Sequence, residues 1–268
     1  MDRHFRRDDV LLRYRDAGDG PAIIFIHGWT LDLDVWDAQC AAFAGSMRVL
    51  RYDRRGFGLS GGLPDPQADV EDLAALFDHL QVARAALVGM SQGVRVALGF
   101  ALRRPELVQA LVLDGPPDCL EGADTEADAD LPMDSLRALA RSRGIGEFRR
   151  AWRAHPLMRL QTGDPAVHAL LARILERYRG LDLLDTPPHS VEPFTAAELT
   201  GLRVPVLVVN GQFDTESRRQ AGDRMQQALP AAERAWVRNA GHLPNLDDPR
   251  AYNAALLAFL QRRAQAAA

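Results

Sequence analysis

Apolar residues along this chain fall into short, nearly continuous runs: "AIIFIHG" (22–28), "MRVLRYD" (47–53), "AALVG" (85–89), "VQALVLDG" (108–115) and "VPVLVVNG" (204–211). A strand with one wet face alternates polar and apolar positions, so runs this continuous and β-branched predict strands covered on both faces. Between them, apolar residues recur every three or four positions. Val70, Leu73, Phe77 and Leu80 form one stripe; Ala221, Met225, Ala228 and Leu229 a second; Tyr252, Leu256, Phe259 and Leu260 a third. Each stripe spells a helix with one buried face. Strands alternating with such helices imply an α/β fold with a doubly wound, mostly parallel sheet. The opening "HFRRDDVLLRYRDAGDGPAIIFIHG" predicts an antiparallel hairpin at an edge of that sheet, turning at "AGDGP".

The alternation stops after Gly115. From Pro116 to about Leu202 there are only helical patterns, separated by "TGDP" and "DTPPHS". The predicted organisation is a core made of residues 1–115 and 203–268, with residues 116–202 a helical cap over the sheet's carboxyl edge. The acidic piece "EGADTEADAD" reads as a solvated connection rather than a metal loop.

Composition narrows the function. The chain has 268 residues, 47% of them hydrophobic, enough to bury a full core. There is no lysine: all 32 basic residues are arginines, scattered among 36 acids for a net charge of −4. That mixture argues against a nucleic-acid partner, and the missing lysine excludes lysine Schiff-base and P-loop chemistry. Two cysteines, Cys40 and Cys119, offer neither a disulfide framework nor metal spacing. Cys40, four residues after Trp36 and three before Phe43, reads as a buried thiol on a helix opened by Asp34. "MDRHFRRDDV" has no apolar leader core, and no run reaches membrane-spanning length. The expectation is a soluble cytoplasmic protein, monomer or homodimer, with no membrane partner and with neither metal nor organic cofactor.

The chemistry starts at "LVGMSQGVRVAL", where Ser91 stands between Gly89 and Gly93 as a strand run gives way to a helical pattern. In that context G-x-S-x-G is a nucleophile elbow: the turn is so tight that the positions two before and two after the serine must be small. A serine hydroxyl needs a base, and the base an orienting acid. "VPVLVVNGQFDTES" places Asp214 just past a strand, and "RAWVRNAGHLPNLDDP" delivers His242 before the last helix. Serine, aspartate, histidine is the chain order expected of this elbow. Taken singly, Asp214 could cap the following helix and His242 the last one. The tetrahedral intermediate's oxyanion needs two donors, assigned to the backbone N–H groups of Gln92 and of Trp29, after "HG". His27 is expected to shape that loop; His4, His79, His155, His168 and His189 are weaker candidates.

With "GMSQG", "HGW", Asp214, "AGH" and "YDRRGFGLS" (52–60) in place, the chain resembles the α/β-hydrolase fold over essentially its whole length. One departure is Val94, where such proteins usually carry glycine. Relatives of this fold that are haloalkane dehalogenases or epoxide hydrolases use aspartate at the elbow, so the serine implies acyl transfer. The resemblance is to small bacterial serine esterases and enol-lactone hydrolases. It implies hydrolysis of a small, largely uncharged carboxylic ester or lactone through an acyl-enzyme on Ser91. The same elbow and triad also serve 3-oxoadipate enol-lactonase-like and carbon–carbon bond hydrolases, cofactor-free perhydrolases, and receptor-like members that bind a ligand and turn over slowly. Pocket candidates are Trp152, Met158 and Leu243, with Leu157, Leu160 and Pro244 beside them. No basic pair there suggests a carboxylate clamp, Arg95, Arg149 and Arg150 being the arginines left open.

Overall fold

The apolar runs become strands whose residues divide alternately between two cores, one on each face of the sheet. In a computed structural model that describes residues 1–122, 130–185, 192–230 and 232–266, side chains of 264–266 aside, the strands are β1 (Arg3–Arg7), β2 (Val10–Ala17), β3 (Ala22–Ile26), β4 (Arg48–Tyr52), β5 (Ala85–Met90), β6 (Val108–Asp114), β7 (Val206–Gly211) and β8 (Ala232–Val237). They form one sheet in the order β1-β2-β4-β3-β5-β6-β7-β8. From β4 to β8 all pairs are parallel. Along β3, Ile23 and Phe25 enter one core and Ile24 and Ile26 the other, which is why the run cannot alternate polar with apolar.

Helices cover both faces. On one lie α1 (Asp37–Phe43) and α10 (Pro249–Ala266), contributing Phe43, Tyr252, Leu256 and Phe259. On the other lie α2 (Pro66–His79), α3 (Gln92–Arg103) and α8 (Glu216–Ala228), contributing Val70, Leu73, Phe77, Leu98 and Met225. The predicted stripes are the buried faces. Val94 is fully buried in the second core, so its bulk is accommodated by packing.

Two local expectations are corrected. The hairpin sits at the sheet edge, but its strands are β1 and β2 and its turn is Asp8–Asp9, with Asp8 at φ 53. β2 then pairs antiparallel with β4, and β3 lies on β4's far side. "AGDGP" is therefore a crossover, its glycines bending the chain past the end of α1. Turn chemistry marks a bend without saying which strands pair across it. The helix carrying Cys40 is preceded by a 3-10 turn, Leu33–Trp36, capped by Asp32, whose carboxylate accepts from the Asp34 N–H at 2.9 Å. Cys40 is only partly buried, while Cys119 is buried.

Between β6 and β7 the chain forms α4 (Met133–Arg153, kinked at Gly144), α5 (Pro165–Arg177), α6 (Leu181–Leu184) and α7 (Ala196–Gly201). Phe148, Trp152, Leu175 and Leu183 of this stretch join the core that contains Trp29 and Met90. Most of "EGADTEADAD" and His189 lie outside the described residues. Among the described residues no helix is long and apolar enough to cross a membrane.

Candidate active site

Because β3 and β5 to β8 run in the same direction, the loops that follow them meet at one edge of the sheet, the usual place for a ligand in such folds. His27 and Gly28 follow β3, Ser91 follows β5, Gly115 follows β6 and Asp214 follows β7. His242 comes five residues after β8 and just before α9 (Pro244–Asp247).

Ser91 has φ 50 and ψ −120, in the positive-φ region that costs a non-glycine residue roughly 1–3 kcal/mol. Its N–H donates to the Asp114 carbonyl at 2.7 Å and its carbonyl accepts from Val94 at 2.9 Å. A Cβ on Gly89 would lie 2.5 Å from the Gly93 oxygen, and one on Gly93 2.5 Å from the Ile26 oxygen. Both neighbours must therefore be glycine for the elbow to close. Gln92 opens α3, where the first amide has no partner within its own helix. Gly28 is pressed against the same spot, since a Cβ there would sit 3.2 Å from the Ser91 Cβ.

Asp214 and His242 are both buried, at 5% and 2% exposure. His242 Nδ1 lies 3.0 Å from Asp214 Oδ1, which also accepts the Thr215 N–H at 2.8 Å; Asp214 Oδ2 accepts from Asn210 Nδ2 at 2.8 Å. With its lone pairs so occupied the carboxylate has one orientation. Neither residue caps a helix: Thr215 precedes α8 and Leu243 precedes α9. Asp247 braces the histidine loop, accepting the Gly241 N–H at 2.7 Å and the Gln161 N–H at 2.6 Å.

His27 is fully buried. Its Nε2 accepts the Arg54 N–H at 2.9 Å, so Nδ1 carries the proton and donates to the Gly28 carbonyl at 2.7 Å. Burial, followed by the Arg54 cation, lowers its pKa to about 3; it is a neutral strut, as expected. Arg54 is itself 1% exposed. Its guanidinium donates to Asp69 at 3.0 Å, to the His27 carbonyl at 3.3 Å and to Gln92 Oε1 at 2.7 Å.

Ser91, Gln92, Trp29 and His242 open onto one cavity of about 1600 Å³, which continues along α3 to Arg103. Trp152, Leu157, Met158 and Leu243 line it, and Pro244 does not. Leu160 instead packs beside the core. Arg95 reaches the cavity, as do Arg54, Arg137 and Arg218. All four are engaged: Arg54 by Asp69, Arg218 by Asp130 at 3.1 Å, Arg95 by the Asp118 carbonyl at 3.3 Å and Arg137 by Asp134 at 3.9 Å. Arg149 instead holds the Tyr178 carbonyl, and exposed Arg150 pairs with Glu147. His155 stacks on Trp152 with ring centroids 4.5 Å apart, and burial lowers its pKa. His79 lies by Tyr14, His168 by the Thr162 carbonyl, and exposed His4 on β1. Among the described residues no cluster could hold a metal ion.

A model of the alpha/beta hydrolase family matches residues 23–255. The chain belongs to that family. It is similar to a carboxylesterase of Bacillus subtilis, 28% identical over 90% of this chain and 81% of the relative. It is also similar to 3-oxoadipate enol-lactonase 2 of Acinetobacter baylyi, 26% identical over 95% and 94%. Among solved structures, a thermophilic esterase from Thermogutta terrifontis superposes with a TM-score of 0.79, at 24% identity over 98% of this chain and 99% of that one. The family match, with the carboxylesterase and enol-lactonase relatives, makes the chain a hydrolase.

The braces were not legible beforehand. Arg54 lies in "YDRRGFGLS", a motif that carries the family resemblance but specifies no role for this side chain. Asp247 and Asn210 gave no signal in sequence, since their function is to accept from, or donate to, groups that only the fold brings near.

Proposed function

We propose that this protein is a serine hydrolase of small, largely uncharged carboxylic esters or lactones, acting through an acyl-enzyme on Ser91. In this reading Ser91 Oγ attacks the substrate carbonyl while His242 Nε2 takes its proton. Asp214 holds the imidazole in the tautomer with hydrogen on Nδ1 and stabilises the imidazolium that forms. The backbone N–H groups of Trp29 and Gln92 receive the oxyanion. His242 then protonates the leaving alcohol, and the acyl-enzyme is released by water that His242 deprotonates. Residues 116–202 act as the cap whose Trp152, Leu157 and Met158 bound the substrate.

What carries the reading is one juxtaposition: a serine on a positive-φ elbow shares a cavity with a histidine whose far nitrogen is held by a buried aspartate at 3.0 Å. An uncharged substrate fits the pairing of Arg54 and Arg218 to carboxylates within the cavity wall.

Turnover of p-nitrophenyl acetate, butyrate and octanoate tests it. Ser91→Ala is expected to lower kcat by about four to six orders of magnitude, and a fluorophosphonate to label Ser91. Wild-type rates in Ser91→Ala, or a label elsewhere, would refute the assignment.

A further inference from the structure

The residue after Trp29 is Thr30, 1% exposed and at φ 63. A β-branched residue in this region is an outlier that persists only where its surroundings over-determine it. Here the determining contacts come from helices between β6 and β7. The Trp152 indole N–H of α4 donates to Thr30 Oγ1 at 2.8 Å. The Trp29 indole N–H donates to Asp182 Oδ2 of α6 at 2.5 Å, and Asp182 Oδ1 takes the Tyr178 hydroxyl at 2.6 Å. The Trp29 ring also meets Trp152 edge-on, with centroids 4.8 Å apart. Two consecutive side chains are thus gripped from above, directly after the Gly28–Trp29 peptide whose N–H is the donor. Farther along, Arg177 pairs with Asp32 and Asp34, and Arg179 donates to the Ser60 carbonyl.

We propose that the helices between β6 and β7 latch the loop that follows β3, with Trp152 and Asp182 acting as positioning residues for the Trp29 backbone N–H. The proposal rests on the reading of Ser91 as nucleophile and of that N–H as an oxyanion donor. Seated helices hold Thr30 at positive φ and the donor aimed. Unseating them releases both indole hydrogen bonds, Thr30 relaxes to negative φ, and the chain before it turns, carrying with it the Gly28–Trp29 peptide that holds the donor. Catalytic competence is thereby tied to the closed position of the helices, so an open form admits substrate without stabilising its transition state. The role requires a hydrogen-bond donor at 152 and an acceptor at 182; bulk alone does not supply it.

The test measures kcat and KM for p-nitrophenyl butyrate, and inhibition by an alkylboronic acid as a tetrahedral mimic, in wild type, Trp152→Phe, Asp182→Ala, Thr30→Gly and Thr30→Gly/Trp152→Phe. Either latch variant is expected to lose about tenfold to a hundredfold in kcat, the scale of a catalytic group misplaced by an ångström, with boronate affinity falling in parallel. Glycine adopts positive φ without strain, so Thr30→Gly should restore most of the activity lost in Trp152→Phe. A change of pocket shape would not be reversed by that substitution. Unchanged kcat and boronate affinity in both latch variants, or a double variant as slow as Trp152→Phe, would overturn the latch. Circular dichroism and melting show whether each variant is folded; Asp182→Ala carries the test if Trp152→Phe is not. If wild type neither turns over ester nor reacts with fluorophosphonate, the hydrolase reading has failed. If it does both, and the latch variants match it, only the latch has failed.

Discussion

The Arg54 guanidinium meets Gln92 Oε1 at 2.7 Å and the His27 carbonyl at 3.3 Å. One side chain therefore ties the start of α3 to the loop after β3, the two segments that carry the proposed oxyanion donors. Its charge is matched by Asp69, whose pKa burial raises to about 6 while Arg54 pulls it down. Removing one partner of a buried pair leaves the other uncompensated, at a cost of about 3–5 kcal/mol. Arg54→Ala is expected to be destabilised on that scale and to lose kcat. Replacing both, as Arg54→Leu/Asp69→Leu, should recover much of the stability but not kcat. Urea midpoints with steady-state kinetics separate the two effects. A double variant with wild-type kcat would show that Arg54 serves stability alone.

Asp214→Asn tests the orienting role of the carboxylate. The amide can satisfy Thr215 or Asn210, but it can present its NH2 to His242 and favour the wrong tautomer. A loss of about 10⁴ in kcat is expected, as for such a change in another Ser-His-Asp enzyme, with the melting temperature close to wild type. A loss below tenfold would mean that His242 is oriented by something else.

The fold was legible because both-face burial leaves a continuous apolar run, as in "AIIFIHG", and one-face burial a three-four rhythm, as in Val70–Leu73–Phe77. Gly89 and Gly93 announced the elbow because a steric requirement for no side chain can be written only as glycine. Strand order was less legible, since "AGDGP" encodes a bend and not the insertion of β4 between β2 and β3. Thr30 was invisible: nothing in its identity predicts positive φ, and its hydroxyl's partner, Trp152, lies 122 positions away. Asp182 was equally silent, its contact with Trp29 spanning 153 positions.

His27 gives a pH dependence of known sign. Its folded pKa is about 3 against 6.5 in the unfolded chain, so between those values the unfolded state binds the extra proton and stability falls as pH falls. From pH 7.5 to 5 this amounts to about 2 kcal/mol. Asp53 and Asp69, both raised to about 6 chiefly by burial, act oppositely: their ionisation weakens the fold as pH rises from about 4 to 6. Because both carboxyls are present in wild type and in His27→Asn, comparing the two isolates the histidine. The stability of wild type relative to His27→Asn should fall by about 2 kcal/mol on acidification over that range, read from urea midpoints. A difference independent of pH would mean that His27 takes up its proton as readily in the folded protein as in the unfolded chain.

Gly115 tests how closely the base is confined. It has φ 53, and a Cβ there would lie 2.8 Å from His242 Cε1, 3.0 Å from Nδ1 and 3.5 Å from Asp214 Oδ2. Alanine would therefore push the imidazole out of its seat as well as strain the backbone. The strain alone is worth about 1–2 kcal/mol, enough to lower the melting temperature by several degrees but not to unfold a domain of this size. Displacing the ring is the larger functional effect, since in the proposed mechanism its Nε2 reaches the Ser91 hydroxyl while Nδ1 keeps Asp214. Gly115→Ala is expected to lose about a hundredfold in kcat and to react with fluorophosphonate correspondingly more slowly. Gly45→Ala, where a Cβ meets nothing within 4 Å, is the matched control and should keep both rates. Fluorophosphonate labelling of Gly115→Ala at the control rate would place the reacting imidazole elsewhere than against β6, and with it the base assigned to Ser91.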